Sequence, residues 1–155
     1  MRTTTLEPLS SSDARAAILS CHEELRGLVT ETIHFVESDC DFEPLRTHAR
    51  ELYEAFEEHI DFEERILPTA LRDVIGWGSV LQAQVVEGHE KQRAILASAR
   101  SALEPAGLSP TGLSPARLAQ SVRTLANTIL GDLKIEESCL LSADLDALAT
   151  DASGG

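Results

Sequence analysis

The stretch His59-Ile60-Asp61-Phe62-Glu63-Glu64-Arg65-Ile66-Leu67-Pro68 decides how the chain is read. On a helix, His59 and Glu63 lie one turn apart on the same side. Leu45, Ala49, Leu52 and Phe56 set a three-four apolar repeat before them, and the repeat continues through His59, Glu63 and Ile66. Two polar groups therefore stand on an inward stripe where Leu or Ile is expected. An ionised carboxylate buried without a partner is strongly destabilising, so the rest of the chain is expected to supply one.

Caps and breakers divide the chain around that stretch. Residues 1–10 read as a flexible leader, with Pro8 opposing early helix. Ser11, Ser12 and Asp13 offer N-caps for a first helix that runs to about Glu37. Its stripe is Ile18, His22, Leu25, Val29, Thr32 and Val36; His34 falls off it and is expected in solvent. The second helix is expected from about Pro44 to about Leu71, with Pro68 a stop or kink signal. Gly76-Trp77-Gly78 reads as a turn, and Ser79 can cap a third helix to about Leu103. The inward residues of that helix are Val85, His89, Gln92, Leu96, Ala99 and Leu103. Pro105 to Ser114 reads as a loop, and Ser114-Pro115 starts a fourth helix that ends near Leu145. Its stripe is Leu118, Val122, Leu125, Ile129, Asp132, Glu136, Cys139 and Ala143. Four helices of similar length on short connections predict an all-α, antiparallel up-down-up-down four-helix bundle over residues 11–147, followed by a disordered tail over 148–155.

Charge and cysteine usage narrow the function. The net charge is −13 and the 13 Lys and Arg residues are dispersed, which opposes a nucleic-acid-binding face. No apolar run has membrane-spanning length and no charged-then-apolar signal opens the chain, so no membrane partner and a cytoplasmic location are expected. Cys21, Cys40 and Cys139 have no CxxC spacing and read as reduced thiols. Cys21 and Cys139 read as small apolar filler and Cys40 as the accessible one.

Six polar residues thus interrupt four inward stripes: His22, His59, Glu63, His89, Asp132 and Glu136. His22 and His89 precede the midpoints of their helices, while His59/Glu63 and Asp132/Glu136 follow theirs. With alternate helices reversed, all six fall at one level. Imidazole nitrogen together with carboxylate oxygen suits iron, manganese or zinc, and two divalent ions would offset three carboxylates. Tyr53 reads as core packing. His48 lies too far along the second helix to join the level. Glu57, Glu58 and Glu64 read as a solvated face.

These residues resemble the hemerythrin-like (HHE cation-binding) family. The resemblance rests on His22 in Cys21-His22-Glu23-Glu24-Leu25-Arg26, on His59-x-x-x-Glu63-Glu64-x-x-Leu67-Pro68, and on His89 in Gly88-His89-Glu90-Lys91-Gln92-Arg93. It extends to Asp132-x-x-x-Glu136-Glu137 and spans about Ile18 to Leu141. It implies a four-helix bundle holding non-haem iron, usually two ions. His22 and His59 would ligate one iron, His89 and Asp132 the other, with Glu63 and Glu136 bridging. Two positions depart from the family. Arg93 stands where oxygen-carrying members have a second third-helix His, and Asp132 stands where the fourth-helix His is expected. A weaker second position, a mononuclear iron site, manganese or zinc are the alternatives these departures open. The implied function is binding or sensing of dioxygen, peroxide or nitric oxide, or iron handling. A peroxide- or oxygen-consuming oxidase on the same site is the alternative, and a metal-free helical interaction module is the third reading. Arg93 is read either as a partner of a bound oxygen species or as a rim residue paired with a nearby Glu.

Overall fold

The computed structural model describes residues 8–38, 41–103 and 114–152, with the side chains of 141–152 excepted. Cys40, most of the expected loop from Pro105 to Ser114, and the ends 1–7 and 153–155 lie outside the described residues. Four helices form: α1 (Ser11–Glu37), α2 (Phe42–Ala70), α3 (Gly78–Leu103) and α4 (Pro115–Ala152). Each packs on its sequence neighbour, α4 closes back on α1, and α2 also meets α4 across the diagonal. The result is the expected all-α up-down-up-down bundle.

The helix ends show where local chemistry differs from the first reading. Ser10, not Ser11 or Ser12, caps α1: its Oγ accepts from the Asp13 N–H at 3.0 Å and donates to the Asp13 carboxylate at 2.7 Å. α2 starts at Phe42, so Pro44 sits inside its first turn, where a missing N–H is harmless. Pro68 does not stop α2, which runs to Ala70 and closes with the Leu71 N–H on the Leu67 carbonyl at 3.0 Å. α4 continues to Ala152, past the end expected near Leu145. No Pro or Gly interrupts Ala143 to Ala152, and Ala and Leu favour helix there.

The core comes in two blocks. The larger contains Leu25, Val29, Leu52, Tyr53, Phe56, Leu96, Leu125 and Ile129, among others. The smaller contains Ala14, Ile18, Leu67, Ala70, Leu71, Val74, Val85 and Leu140. Between them lies one polar layer. Arg15 closes the small block from the side, donating to the Ala70 carbonyl at 2.7 Å and to Asp73 at 2.7 Å. The α2–α3 turn passes through Gly76 at φ +83°, a left-handed conformation natural to glycine. No helix among the described residues is long and apolar enough to cross a membrane.

The start of α3 leans on the end of α2 through glycine. A Cβ at Gly78 would stand 2.7 Å from the Leu71 carbonyl oxygen, whereas one at Gly27 on α1 would meet nothing within 4 Å. Gly78→Ala is expected to destabilise the bundle by about 1–3 kcal/mol, and Gly27→Ala to stabilise it by about 0.5–1 kcal/mol. Urea midpoints of the two variants measure this; equal shifts would contradict the close approach.

Candidate metal centre

The polar layer is built from His22 on α1, His59 and Glu63 on α2, His89 on α3 and Glu136 on α4. All five are buried. Ligand atoms of His22, His59, Glu63 and Glu136 lie within 4.8 Å of one another, a grouping that can chelate a metal ion. His59 Nε2 is 3.0 Å from Glu63 Oε2, and His22 Nε2 is 3.6 Å from the same oxygen. His22 Nε2 is also 3.4 Å from Glu136 Oε2. His89 joins from the other side, with its Nε2 3.5 Å from Glu63 Oε2 and 3.3 Å from Glu136 Oε1.

The bonding on the two sides of each ring is unequal. All three Nε2 atoms, both oxygens of Glu63 and Oε2 of Glu136 are buried without a hydrogen-bond partner. The three Nδ1 atoms, in contrast, are each held. His22 Nδ1 meets Glu137 Oε1 at 3.2 Å, His89 Nδ1 meets Glu64 Oε1 at 3.1 Å, and His59 Nδ1 meets Cys21 Sγ at 3.3 Å. Metal-binding histidines are oriented in this way, with one nitrogen anchored and the other free for the ion. The donor set, three imidazole nitrogens and two carboxylates, fits iron, manganese or zinc.

The two anchoring glutamates are fixed in turn. Arg26 Nη2 reaches Glu137 Oε1 at 2.6 Å. Arg93 grips Glu64 with two bonds of 2.7 and 2.9 Å and also reaches Asp61 at 3.0 Å. Arg93 is therefore the rim residue of the second reading, committed to carboxylates. Glu64 is not part of a solvated face, as first expected. It is half-buried because it stands 100° round α2 from Glu63, toward α3 rather than toward water. Glu57, by contrast, keeps an exposed side chain and pairs at the surface with Arg100 at 2.6 Å.

Glu64, Glu137 and the arginines form a repeated unit. His-Glu-x-x-Arg occurs at His22–Arg26 and at His89–Arg93, and a Glu-Glu pair occurs at Glu63-Glu64 and Glu136-Glu137. In both copies the first Glu points into the layer, and the second anchors the histidine of the neighbouring helix. That doubled spacing was the signal in the sequence for the anchors.

Asp132 does not join the five. It is half-buried, outside the tightest grouping (as His89 also is), hydrogen-bonds to Gln92, feels the charges of Glu136 and His89, and borders a pocket between α3 and α4. Burial pushes its carboxyl pKa up. Its helical position is 40° round α4 from Glu136, and its side chain is shorter than the imidazole that bridges the same offset at His59. Cys21 and Cys139 are free thiols; Cys21 is a ring contact, not mere filler. His34 is exposed, and His48 stacks on Phe35 with ring centres 4.1 Å apart, away from the layer. Two openings reach the layer: a cleft of about 950 Å³ between α1 and α2, beside Cys21 and His59, and the α3/α4 pocket of about 470 Å³, beside Glu136.

Comparison with protein-family models, curated proteins and solved structures found no match. The four-helix bundle and its His/Glu cluster resemble a hemerythrin-type metal site on geometry alone.

In the metal-free protein these groups titrate against one another. Burial opposes the charged imidazoles, but Glu136 and Glu63 outweigh it, holding His22 and His59 up at about 9 and His89 at about 10. Burial also opposes the Glu63 carboxylate, yet the facing imidazoles of His22, His59 and His89 pull it down to about 2, and Glu136 is lowered for the same reason. The histidine contribution to stability is fully present below the unfolded value of 6.5 and is lost as pH rises through about 9–10. The Glu63 contribution is present above 4.5 and is lost as pH falls through about 2. The Tm of the metal-free protein is therefore expected to peak between about pH 4.5 and 6.5 and to fall on both sides. A Tm that climbs steadily from about pH 5 to pH 9, followed by circular dichroism, would contradict the paired cluster.

Proposed function

We propose that this chain is a hemerythrin-like, non-haem iron protein. It binds or senses a small oxidant (dioxygen, peroxide or nitric oxide), or handles iron, in the cytoplasm. The observation that carries this reading is the convergence of three unpartnered Nε2 atoms and three unpartnered carboxylate oxygens in one buried layer. His22, His59, Glu63 and Glu136 would hold one ion, and His89, sharing the same carboxylates, would serve a second. With Asp132 set aside from the grouping, that second position has a single nitrogen donor. Iron held by these residues would supply redox chemistry and open coordination positions for a small oxidant.

The chain's own residues prepare the site. Glu137 and Glu64 fix the rings of His22 and His89 so that Nε2 faces inward. Glu63 and Glu136 provide negative charge that would attract and be offset by a cation. The small apolar block covers one side of the layer and the large block the other, and the five side chains between them are buried. The oxidase reading has one observation in its favour, namely that the α3/α4 pocket extends to Glu136.

Metal analysis of the protein loaded with ferrous iron, manganese or zinc tests the proposal. Stoichiometric iron is expected, with a visible band that changes on adding dioxygen or peroxide. Repeated peroxide turnover with iron retained would select the oxidase, and a single stoichiometric change would select binding or sensing. Glu137→Gln and Glu64→Gln are each expected to weaken iron binding by about 10- to 100-fold while the fold persists. A chain that takes up none of the three metals would sink the proposal.

A further inference from the structure

The two openings onto the layer differ in charge. The α3/α4 pocket sets Asp132 and Glu136 against Lys91, and Glu136 already faces the imidazoles of His22 and His89. The α1/α2 cleft carries Glu24 from α1 and Glu58, Asp61 and Glu64 from α2, against Arg65. Glu58, Asp61 and Glu64 follow one another at three-residue steps, which makes them a ridge along α2. Like charges at that spacing disfavour the helix that carries them. Arg93 takes up Asp61 and Glu64. Arg65 turns its Nε to the Asp61 carbonyl at 3.3 Å rather than to a carboxylate. Glu24 and Glu58 are exposed, and neither side chain has an ion pair or hydrogen bond among the described residues. An excess of negative charge therefore remains, in a concave opening that focuses it.

This cleft ends on the metal grouping. Among the described residues, His59 alone belongs both to its lining and to the four side chains that can chelate an ion. His59 is 3% exposed, and its unpartnered Nε2 stands 3.0 Å from Glu63 on the layer side. On the cleft side its Nδ1 meets only the half-buried Cys21 thiol, at 3.3 Å. A thiol is a weak hydrogen-bonding group, so this ring is held less firmly than His22 and His89, whose anchors are arginine-braced carboxylates. Space is sufficient. At about 30 Å³ per water, an ion with six waters needs roughly 200 Å³, and the cleft encloses about 950 Å³.

We propose that the α1/α2 cleft is the loading vestibule of the metal centre. Glu24 and Glu58 bind a hydrated divalent cation, and His59 receives it past Cys21 into the layer. This deepens the metal-centre reading and rests on it for the destination of the cation, whereas binding at Glu24 and Glu58 requires no ion in the layer.

The first arm of the test is the rate of Zn²⁺ uptake by metal-free protein, followed by stopped-flow competition with a chromophoric indicator. Glu24→Gln/Glu58→Gln should load about 10-fold more slowly than the wild type at low ionic strength. The difference should close as salt screens the cleft, and zinc content at saturation should not fall. Glu31→Gln/Glu54→Gln removes the same charge from exposed positions outside the cleft and should load at the wild-type rate. In the second arm, Mn²⁺ is titrated into protein already exposed to zinc, which outcompetes manganese for a nitrogen-containing layer. Amide signals around Glu24 and Glu58 should broaden in the wild type and stay sharp in Glu24→Gln/Glu58→Gln. Wild-type loading by that variant, equal slowing of Glu31→Gln/Glu54→Gln, or no broadening around Glu24 and Glu58 would overturn the vestibule; zinc uptake alongside any of these would leave the metal centre standing. Broadening there in a chain that takes up no zinc would uphold the cation site in the cleft and remove the metal centre behind it.

Discussion

Two glutamates placed in the middle of an apolar bundle set the terms for everything around them. Glu63 and Glu136 come from the diagonal helices α2 and α4, which approach each other, whereas α1 and α3 do not meet directly among the described residues. The carboxylates therefore face each other across the closer diagonal, together with His59 of α2, and His22 and His89 reach in from the wider one. Two ionised carboxylates at that separation demand positive charge. Protons on the imidazoles can supply it, and so can a metal ion, and these two solutions compete for the same nitrogens.

The supporting residues determine that the competition is even possible. A free histidine would rotate to satisfy both nitrogens. Here Glu137 and Glu64 hold Nδ1 of His22 and His89, and Arg26 and Arg93 hold those glutamates. His59 is held more weakly, by the Cys21 thiol. The layer thus has two charged, well-braced corners and one softer corner. The corner facing Asp132 has no ring at all.

The bundle was legible because a three-four repeat interrupted by isolated polar residues has few other readings. His22, His59, Glu63, His89 and Glu136 were legible for the same reason, since each is a fault on an otherwise apolar stripe. Asp132 stood on its stripe by count but not by reach. Periodicity records angle, not side-chain length, and a 40° offset that an imidazole spans leaves an aspartate at the helix edge. Glu64 was misread for the opposite reason. A residue 100° off the stripe looks solvated when one helix is considered, and only the neighbouring helix shows that the position is tangential. The cap of α1 shifted by one or two residues because adjacent serines at 10, 11 and 12 offer equivalent caps, whereas α4 outran its expected end near Leu145 because nothing up to Ala152 breaks the helix.

The crosswise bracing bears on how the chain matures. The first two helices hold His22, His59 and Glu63; the last two hold His89 and Glu136. Yet His22 is oriented by a glutamate from the last helix, and His89 by one from the second. Each half of the polypeptide thus depends on the other to orient one histidine, and only His59 is held within its own half, by Cys21. A nascent or partly folded chain, with only α1 and α2 docked, lacks the second carboxylate and the brace on its first ring. Capture of an ion by this cluster would then follow closure of α4 against α1, and loading would report that all four helices have come together.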